Sequence, residues 1–245
     1  MTPAIAANSL EVRFGETVAL SRVDLLVPAG TSLAVIGPNG SGKSTLLGTL
    51  AGTIDPHAGS THVAGPPPAL VMQSTEIDKS LPVTVRDAVA MARYSSLGLF
   101  SRFRDADRTA VEGALSRTAI EDLADRQLHD LSGGQRQRVL VAQGLAQDAD
   151  VILLDEPMTG LDVVSRSIIL NVIDEELAAG RTVVVTTHDL QDARRCDQVL
   201  LLDRTPVVIG SPTEVLVEHH LERAFGGRFM RIGEGLVLDD PHHVH

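Results

Sequence analysis

The stretch Gly-Pro-Asn-Gly-Ser-Gly-Lys-Ser at residues 37–44 decides the fold of this chain. It matches the phosphate-binding loop pattern G-x-x-x-x-G-K-[ST] at every fixed position. The apolar run at residues 33–36 before it is typical of a strand buried on both faces, and residues 43–50 after it predict a helix. Strand, glycine-rich loop and helix therefore follow one another in the order that a phosphate-binding loop requires.

The residue types of this loop fit a polyphosphate ligand. Gly37, Gly40 and Gly42 leave backbone N–H groups unobstructed, so that several can converge on one phosphate at the positive end of the next helix. Lys43 carries an ammonium that can reach the outer phosphates, and the hydroxyl of Ser44 is a ligand for Mg²⁺. The alternative, a glycine-rich turn with a coincidental lysine, does not account for the strand and helix on either side.

Two acids, Asp155 and Glu156, close the apolar run at residues 151–154. A carboxylate at a strand end beside a phosphate loop can hold the water shell of a metal ion, and we expect this of Asp155. Glu156 is placed to orient or deprotonate an attacking water. The alternative is that both acids only solvate the end of a strand.

Strands and helices alternate along the chain. The sequence predicts strands at residues 10–14, 23–27, 151–154, 182–186 and 199–202, and helices at residues 84–93 and 163–179 with another capped by Asp105. This order predicts an α/β fold with a parallel sheet, into which the mostly helical third between residues 68 and 150 is inserted. From about residue 226 the sequence is weakly patterned, and we expect that segment to be loosely ordered.

Composition excludes several classes of protein. The 245 residues carry a net charge of −11, and only 2 % of them are aromatic, so we expect neither a nucleic-acid surface nor a base-stacking platform. A single cysteine, Cys196, rules out an internal disulfide and is expected to be a buried apolar residue. Without a signal-peptide pattern or an apolar run long enough to span a bilayer, the chain is expected to be soluble and cytosolic.

Five further motifs make residues 8 to 220 resemble the ATP-binding cassette (ABC) proteins. The sequence Leu-Ser-Gly-Gly-Gln at residues 131–135 is the signature of that family, and it precedes the Asp155–Glu156 strand as it does there. The remaining likenesses are the adenine-stacking Phe14, the switch glutamine Gln73, the D-loop residues Leu161 and Asp162, and the switch histidine His188. Two pairs of residues depart from the common pattern: Thr159 and Gly160 replace the more usual Ser-Ala before Leu161, and Gln143 and Gly144 stand where many members carry Arg-Ala.

The resemblance implies a fold and a set of site residues. The fold is a P-loop NTPase (RecA-like) α/β core with a parallel sheet, an antiparallel β subdomain and a helical subdomain inserted at about residues 74–148. The ATPase domain would span residues 1–225, and a tail residues 226–245. The implied cofactors are ATP and Mg²⁺. The catalytic residues would be Glu156 and His188, and the metal ligands Ser44, Gln73 and Asp155. The nucleotide-binding residues would be Phe14, Gly37, Asn39, Gly40, Ser41, Gly42, Lys43, Ser44, Thr45, Gln73, Ser132, Gly133, Gly134, Gln135 and Asp162.

Partners follow from the same resemblance. One chain has one phosphate loop and one signature, so two copies would meet head to tail around two ATP molecules. The cassette would power a separate integral membrane permease from its cytoplasmic, inner face. An extracellular substrate-binding protein would take part indirectly, and no nucleic acid is expected.

Similarity also gives an expectation for the cargo. Residues 91–94 and 221–226 resemble cassettes of zinc, manganese or iron importers. Siderophore, haem or cobalamin uptake stays open as an alternative, as does a soluble ATPase without a transport role. The histidines at 219, 220, 242, 243 and 245 raise a metal-binding tail as a further hypothesis, against the simpler interpretation of a solvated terminus.

Overall fold

A six-stranded sheet crosses the centre of the molecule and is packed on both faces. The computed structural model describes residues 3–73, 82–94 and 103–226 and, beyond them, the backbone of residues 229–232 and 235–238.

The strands are β1 (Pro3–Phe14), β2 (Thr17–Pro28), β3 (Ser32–Ile36), β4 (Ala58–Val63), β5 (Ala69–Val71), β6 (Val151–Leu154), β7 (Thr182–Thr186), β8 (Gln198–Asp203), β9 (Thr205–Gly210), β10 (Phe229–Ile232) and β11 (Gly235–Leu238). The helices are α1 (Lys43–Leu50), α2 (Val85–Tyr94), α3 (Asp105–Arg117), α4 (Gly133–Ala146), α5 (Val163–Ala178), α6 (Leu190–Ala193), α7 (Pro212–Val215) and α8 (Glu218–Phe225), with short 3-10 helices at Glu121–Leu123 and Leu128–Asp130.

The central sheet has the strand order β5–β6–β7–β3–β8–β9. The first five strands are parallel, as predicted, and β9 joins the edge antiparallel to β8. Every residue of β3 is buried. Ala34 and Ile36 pack in the core shared with α4 and α5, whereas Leu33 and Val35 pack in the core shared with α1, β1 and β2. Burial on both faces explains why this strand is a continuous apolar run in the sequence.

A three-stranded antiparallel sheet, in the order β2–β1–β4, lies against the second face. Its first strand begins at Pro3, well before the predicted start at residue 10. The reason is an irregularity at Asn8 and Ser9, which are both exposed, and Ser9 has a φ of 46°. The pairing register of β1 with β2 shifts between Ala7 and Leu10. The pattern of buried and exposed side chains before this shift is therefore out of step with the pattern after it.

Helices α2, α3 and α4 are inserted between β5 and β6 and pack on one another. The cap predicted for α2 is present, because the Thr84 hydroxyl accepts the backbone N–H of Asp87 at 3.1 Å and Asp87 Oδ2 accepts the backbone N–H of Thr84 at 3.3 Å. At α3 the predicted cap is corrected: Asp105 is already the first helical residue, and Asp107 Oδ2 instead accepts the backbone N–H of Arg104 at 2.9 Å. The predicted beginning of the insertion at residue 74 lies outside the described residues.

The two unusual residues of α4 are explained by packing. Gln143 Nε2 donates to the backbone oxygen of Ala88 at 2.8 Å and so ties α4 to α2. A Cβ at Gly144 would lie 2.5 Å from a methyl group of Val71, so the missing side chain lets α4 lie directly on β5. Gln143 therefore joins two helices of the insertion, and Gly144 lets the insertion lie against the sheet.

The segment after α8 is more regular than the sequence indicates. Helix α8 ends at Gly226, whose φ is 62°, and β10 and β11 then form an antiparallel hairpin. The expectation of a loosely ordered tail stays a prediction, and the terminal histidines lie outside the described residues. Among the residues that the structure describes, no helix has the length and apolar character needed to cross a bilayer.

Candidate nucleotide-binding and catalytic site

The phosphate loop connects β3 to α1 and lies in close contact with two strands. A Cβ at Gly37 would overlap the backbone oxygen of Leu202 in β8. Gly42 has a φ of 97°, and a Cβ there would lie 2.6 Å from the backbone oxygen of Ala19 in β2. Only glycine fits at these two positions, which explains their spacing in the motif.

Lys43 is buried inside this loop. Its Nζ donates to the backbone oxygens of Gly37 at 2.8 Å and Pro38 at 3.1 Å. The loop is fixed from outside by the backbone N–H of Arg204, which donates to the backbone oxygen of Ser41 at 2.8 Å. The ammonium is thus held at the centre of the loop, where a phosphate would need a counter-charge. The other loop residues named by the sequence surround it, with Asn39, Gly40 and Ser44 exposed and Thr45 half-buried in the first turn of α1.

Thr186, the last residue of β7, joins the two acids at the end of β6. Its hydroxyl donates to Asp155 Oδ1 at 2.6 Å and accepts the backbone N–H of Glu156 at 2.8 Å. Asp155 is buried, and its own N–H donates to the backbone oxygen of Val71 in β5 at 2.8 Å. Thr186 was not among the residues named from the sequence, because a threonine at the end of an apolar strand does not by itself indicate a partner on another strand.

The side chain of Glu156 is oriented by two neighbours. Its Oε2 accepts from the hydroxyl of Thr159 at 3.0 Å and lies 3.6 Å from Nδ1 of His188. The His188 ring lowers the pKa of Glu156 most, with help from the Thr159 hydroxyl and the charge of Lys43, although partial burial acts in the opposite direction. The carboxylate is therefore ionised at neutral pH, the state that accepts a hydrogen bond from water.

Glu156 and His188 face a common cavity of about 160 Å³. It lies between the segment that follows β6 and the segment that follows β7, and its walls also include Thr159 and Arg166. The carboxyl ends of β6 and β7 meet at one edge of the sheet because these strands are parallel neighbours. Gln73 follows β5 at the same edge and is exposed.

The signature residues form the start of α4. Ser132 is the N-cap: its Oγ accepts the backbone N–H of Gln135 at 3.3 Å, and Gln135 Oε1 accepts the backbone N–H of Ser132 at 3.0 Å. A Cβ at Gly134 would lie 2.7 Å from Ser165 Oγ and 2.8 Å from Asp162 Oδ2. The start of α4 therefore lies against the start of α5.

Asp162 is the N-cap of α5. Its Oδ1 accepts the backbone N–H of Ser165 at 2.8 Å, and its Oδ2 accepts the hydroxyl of the same serine at 2.8 Å. These bonds from Ser165 lower the pKa of Asp162. The D-loop aspartate is thus an ionised cap in contact with the signature turn.

Phe14 stands apart from the hydrophobic cores. It is 55 % exposed at the end of β1, where it pairs with Thr17 of β2. The same hairpin meets the phosphate loop through Ala19 and Leu20, which lie against Gly42. An exposed aromatic ring in the hairpin that contacts the loop agrees with the stacking role expected for Phe14, which stays a prediction.

The sheet order, the loop around Lys43 and the two acids at the end of β6 define a P-loop nucleoside-triphosphate hydrolase. The family model described as ABC transporter matches residues 20–159. The chain belongs to this family, and it is one of the ATP-binding subunits that hydrolyse ATP to power transport. Assignment of the α/β P-loop fold from the sequence is confirmed.

Similarity to transport proteins extends over most of the chain. The "Zinc transport system ATP-binding protein TroB" of Treponema pallidum (strain Nichols) is 36% identical over 92% of this chain and 88% of its own length. The "Manganese transport system ATP-binding protein MntB" of Bacillus subtilis (strain 168) is 34% identical over 96% and 97%. Among solved structures, a putative metal-chelate type ABC transporter in an inward-facing conformation is 29% identical, with a TM-score of 0.82 over 96% of this chain and 95% of that one.

Proposed function

We propose that this chain is the ATPase subunit of an importer for a divalent metal ion, zinc, manganese or iron. The observation that carries this proposal is the similarity, over about nine-tenths of the chain, to relatives named for zinc and manganese transport. A second candidate cargo is a metal chelate such as a siderophore, haem or cobalamin. It is favoured by the likeness to the metal-chelate type transporter.

Within the ATP site, the roles follow from the geometry. Backbone N–H groups of residues 39, 40 and 42 would bind the phosphates, and Lys43 would turn from its two backbone oxygens to the outer phosphate. Glu156 would orient the attacking water and accept its proton, because its carboxylate is ionised and faces the cavity. His188 would contact the outer phosphate or the water from the other wall of that cavity.

The residues at the sheet edge fit a magnesium ion. Ser44, Asp155 and Gln73 offer hydroxyl, carboxylate and amide oxygens, the donors that Mg²⁺ prefers, and Thr186 holds Asp155 in place. When bound, the ion would neutralise charge on the outer phosphate oxygens.

The complete site would contain two copies of the chain. Each copy has one loop at 37–44 and one signature at 131–135, and a cassette named MJ0796, 26% identical with a TM-score of 0.74, has been solved as a dimer. Val163 and Val164, at the start of α5 beside Asp162, are 84% and 67% exposed. Exposed valines next to the D-loop are the apolar surface that a closed dimer would cover.

A membrane permease would dock on the helical insertion. Met72, Met91 and Tyr94 expose large apolar side chains next to Gln73 and along α2. This arrangement supports a cassette at the inner face of the membrane, with an extracellular binding protein reaching only the permease. We propose residues 1–225 as the ATPase domain, with its insertion at about 74–148, and residues 226–245 as a separate tail.

Reconstitution tests the cargo. The complete transporter, purified with its own permease and placed in vesicles, would take up Zn²⁺, Mn²⁺ or Fe²⁺ when ATP is supplied. Glu156→Gln in the same complex serves as the inactive control. Uptake of a siderophore, haem or cobalamin without uptake of any free metal ion would replace the first proposal with the second.

A further inference from the structure

Arg166, in the first turn of α5, bridges two acids of the segment that follows β7. Its Nη2 donates to Asp189 Oδ2 at 2.8 Å and also to Asp192 Oδ1. Both acids and Arg166 line the cavity that Glu156 and His188 share. A guanidinium is the cation suited to this bridge, because its donors can serve two carboxylates at once.

The first of these acids fixes the backbone around His188. Asp189 follows His188 directly, and its second oxygen, Oδ1, accepts the backbone N–H of Gln191 at 2.7 Å as the cap of α6. Its own N–H donates to the hydroxyl of Thr187 at 3.0 Å. Both carboxylate oxygens of Asp189 are therefore engaged, one of them by Arg166.

Asp192, the second acid, is buried and needs the positive charge of Arg166. Asp192 is only 4% exposed, and in the part of the chain that the structure describes its Oδ2 has no hydrogen-bond partner. Burial, with the nearby charge of Asp189, raises the pKa of Asp192. Removing Arg166 would leave this buried carboxyl group without its cation, and Asp189 would lose the bond that ties it to α5.

We propose that Arg166 is a positioning residue for His188, holding the imidazole at its distance from Glu156 across the cavity. The guanidinium anchors Asp189 to the first turn of α5, and His188 is thereby fixed between Asp189 and the end of β7. This inference rests on the proposed role of His188 in hydrolysis. Arg166 acts through its neighbours and not on the phosphates themselves.

A matched pair of arginine variants separates positioning from general stability. Arg195 Nη2 donates to Asp174 of α5 at 2.8 Å, so it also ties α5 to the end of α6, and its charge also acts on Asp192. It does not line the cavity. Arg166→Met and Arg195→Met each remove one positive charge from the same region, but only the first breaks the bridge to Asp189.

The test is steady-state ATP hydrolysis by the full chain, with kcat and KM determined separately and the Tm of each variant measured. Arg166→Met should lower kcat about 10- to 100-fold with KM for ATP nearly unchanged, as expected for a misplaced catalytic group. Arg166→Lys should recover part of the loss, and Arg195→Met should leave kcat and KM as they are. An unchanged kcat in Arg166→Met, or an equal fall in Arg195→Met, would overturn the proposal.

Two further variants, Asp189→Asn and His188→Ala, test the proposal independently of Arg166→Met. Asp189→Asn keeps an oxygen for the α6 cap but cannot accept from Arg166 with its amide nitrogen, so it should lower kcat in the same way even if Arg166→Met fails to fold. An undiminished kcat in Asp189→Asn contradicts the inference. If His188→Ala leaves kcat unchanged, the role of His188 and the inference fail together. If His188→Ala is inactive while Arg166→Met is fully active, only the inference fails.

Discussion

The hydroxyl of Thr186 connects Asp155 to Glu156, since it donates to the carboxylate of the first and accepts the backbone N–H of the second. One side chain on β7 therefore sets the position of two acids on β6. A single oxygen atom satisfies a buried carboxylate and a backbone donor, so its loss leaves both without that partner.

Thr186→Val removes this oxygen with little change of shape. We expect the free energy of unfolding to fall by about 1–3 kcal/mol, because a buried donor and acceptor lose their partner. We also expect kcat for ATP hydrolysis to fall, because Asp155 and Glu156 lose their common support. Urea denaturation and an ATPase assay measure the two effects.

Thr118→Val is the control for this variant. Thr118 is buried at the end of α3, and its hydroxyl donates to the backbone oxygen of Ala114 at 2.8 Å. Its loss should cost stability without changing kcat. Equal kcat values for Thr186→Val and the unmodified protein would show that the hydroxyl does not position the acids.

Glu156→Gln should retain ATP binding and abolish turnover. The amide keeps the size of the side chain but cannot accept a proton, and general-base catalysis contributes on the order of 100- to 10,000-fold. ATP would then persist between two copies, so light scattering should detect a dimer in the presence of ATP and Mg²⁺. Hydrolysis at the normal rate would remove Glu156 as the base.

The cap at Asp162 predicts a pH-dependent contribution to stability. The bonds from Ser165 lower the pKa of Asp162 in the folded chain below its unfolded value of about 3.9. The stabilisation is therefore present above the unfolded pKa and is lost as the pH falls through the folded pKa. Asp162→Ala should be less stable than the unmodified chain at pH 6, and the difference should shrink in urea titrations below pH 4. A difference that stays constant down to pH 3 contradicts this account.

Neighbouring glycines of the signature should respond differently to alanine. Gly134→Ala places a methyl group against Ser165 and Asp162, and we expect the free energy of unfolding to fall by about 1–3 kcal/mol. A Cβ at Gly133 has no atom within 4 Å, so Gly133→Ala should be neutral or slightly stabilising. Thermal unfolding of the two variants compares them directly, and equal melting temperatures would exclude the close contact.

The central strands could be predicted from the sequence because burial on both faces makes them continuous apolar runs. Strands β3, β6, β7 and β8 all begin and end within about one residue of their predicted bounds. The first half of β1 was not predictable in this way, since the left-handed turn at Ser9 interrupts the alternation. The residues of β10 and β11 show no strong strand pattern in the sequence, so this hairpin was not predicted.

Some residues of the candidate site could be predicted from the sequence, and others could not. Lys43 could be named from the sequence because the loop residues around it stand at the fixed spacing of a phosphate-binding motif, and Asp155 and Glu156 because they directly follow an apolar strand. Thr186 and Arg166 could not, because their partners are far away in sequence: Arg166 and Asp192 are separated by 26 positions. Such side chains acquire a role only when the packing of separate strands and helices is known.

Because Gly134 has no side chain, the starts of α4 and α5 can move together. With no side chain on Gly134, the turn that opens α4 packs directly against the side chains of Asp162 and Ser165 in the turn that opens α5, and the two turns form one block. In the proposed dimer, a nucleotide pressing on Ser132 from the other copy would push this block, and with it the valine pair at the dimer seam. ATP bound at one site would then affect the second site through the direct contact between the first turns of α4 and α5.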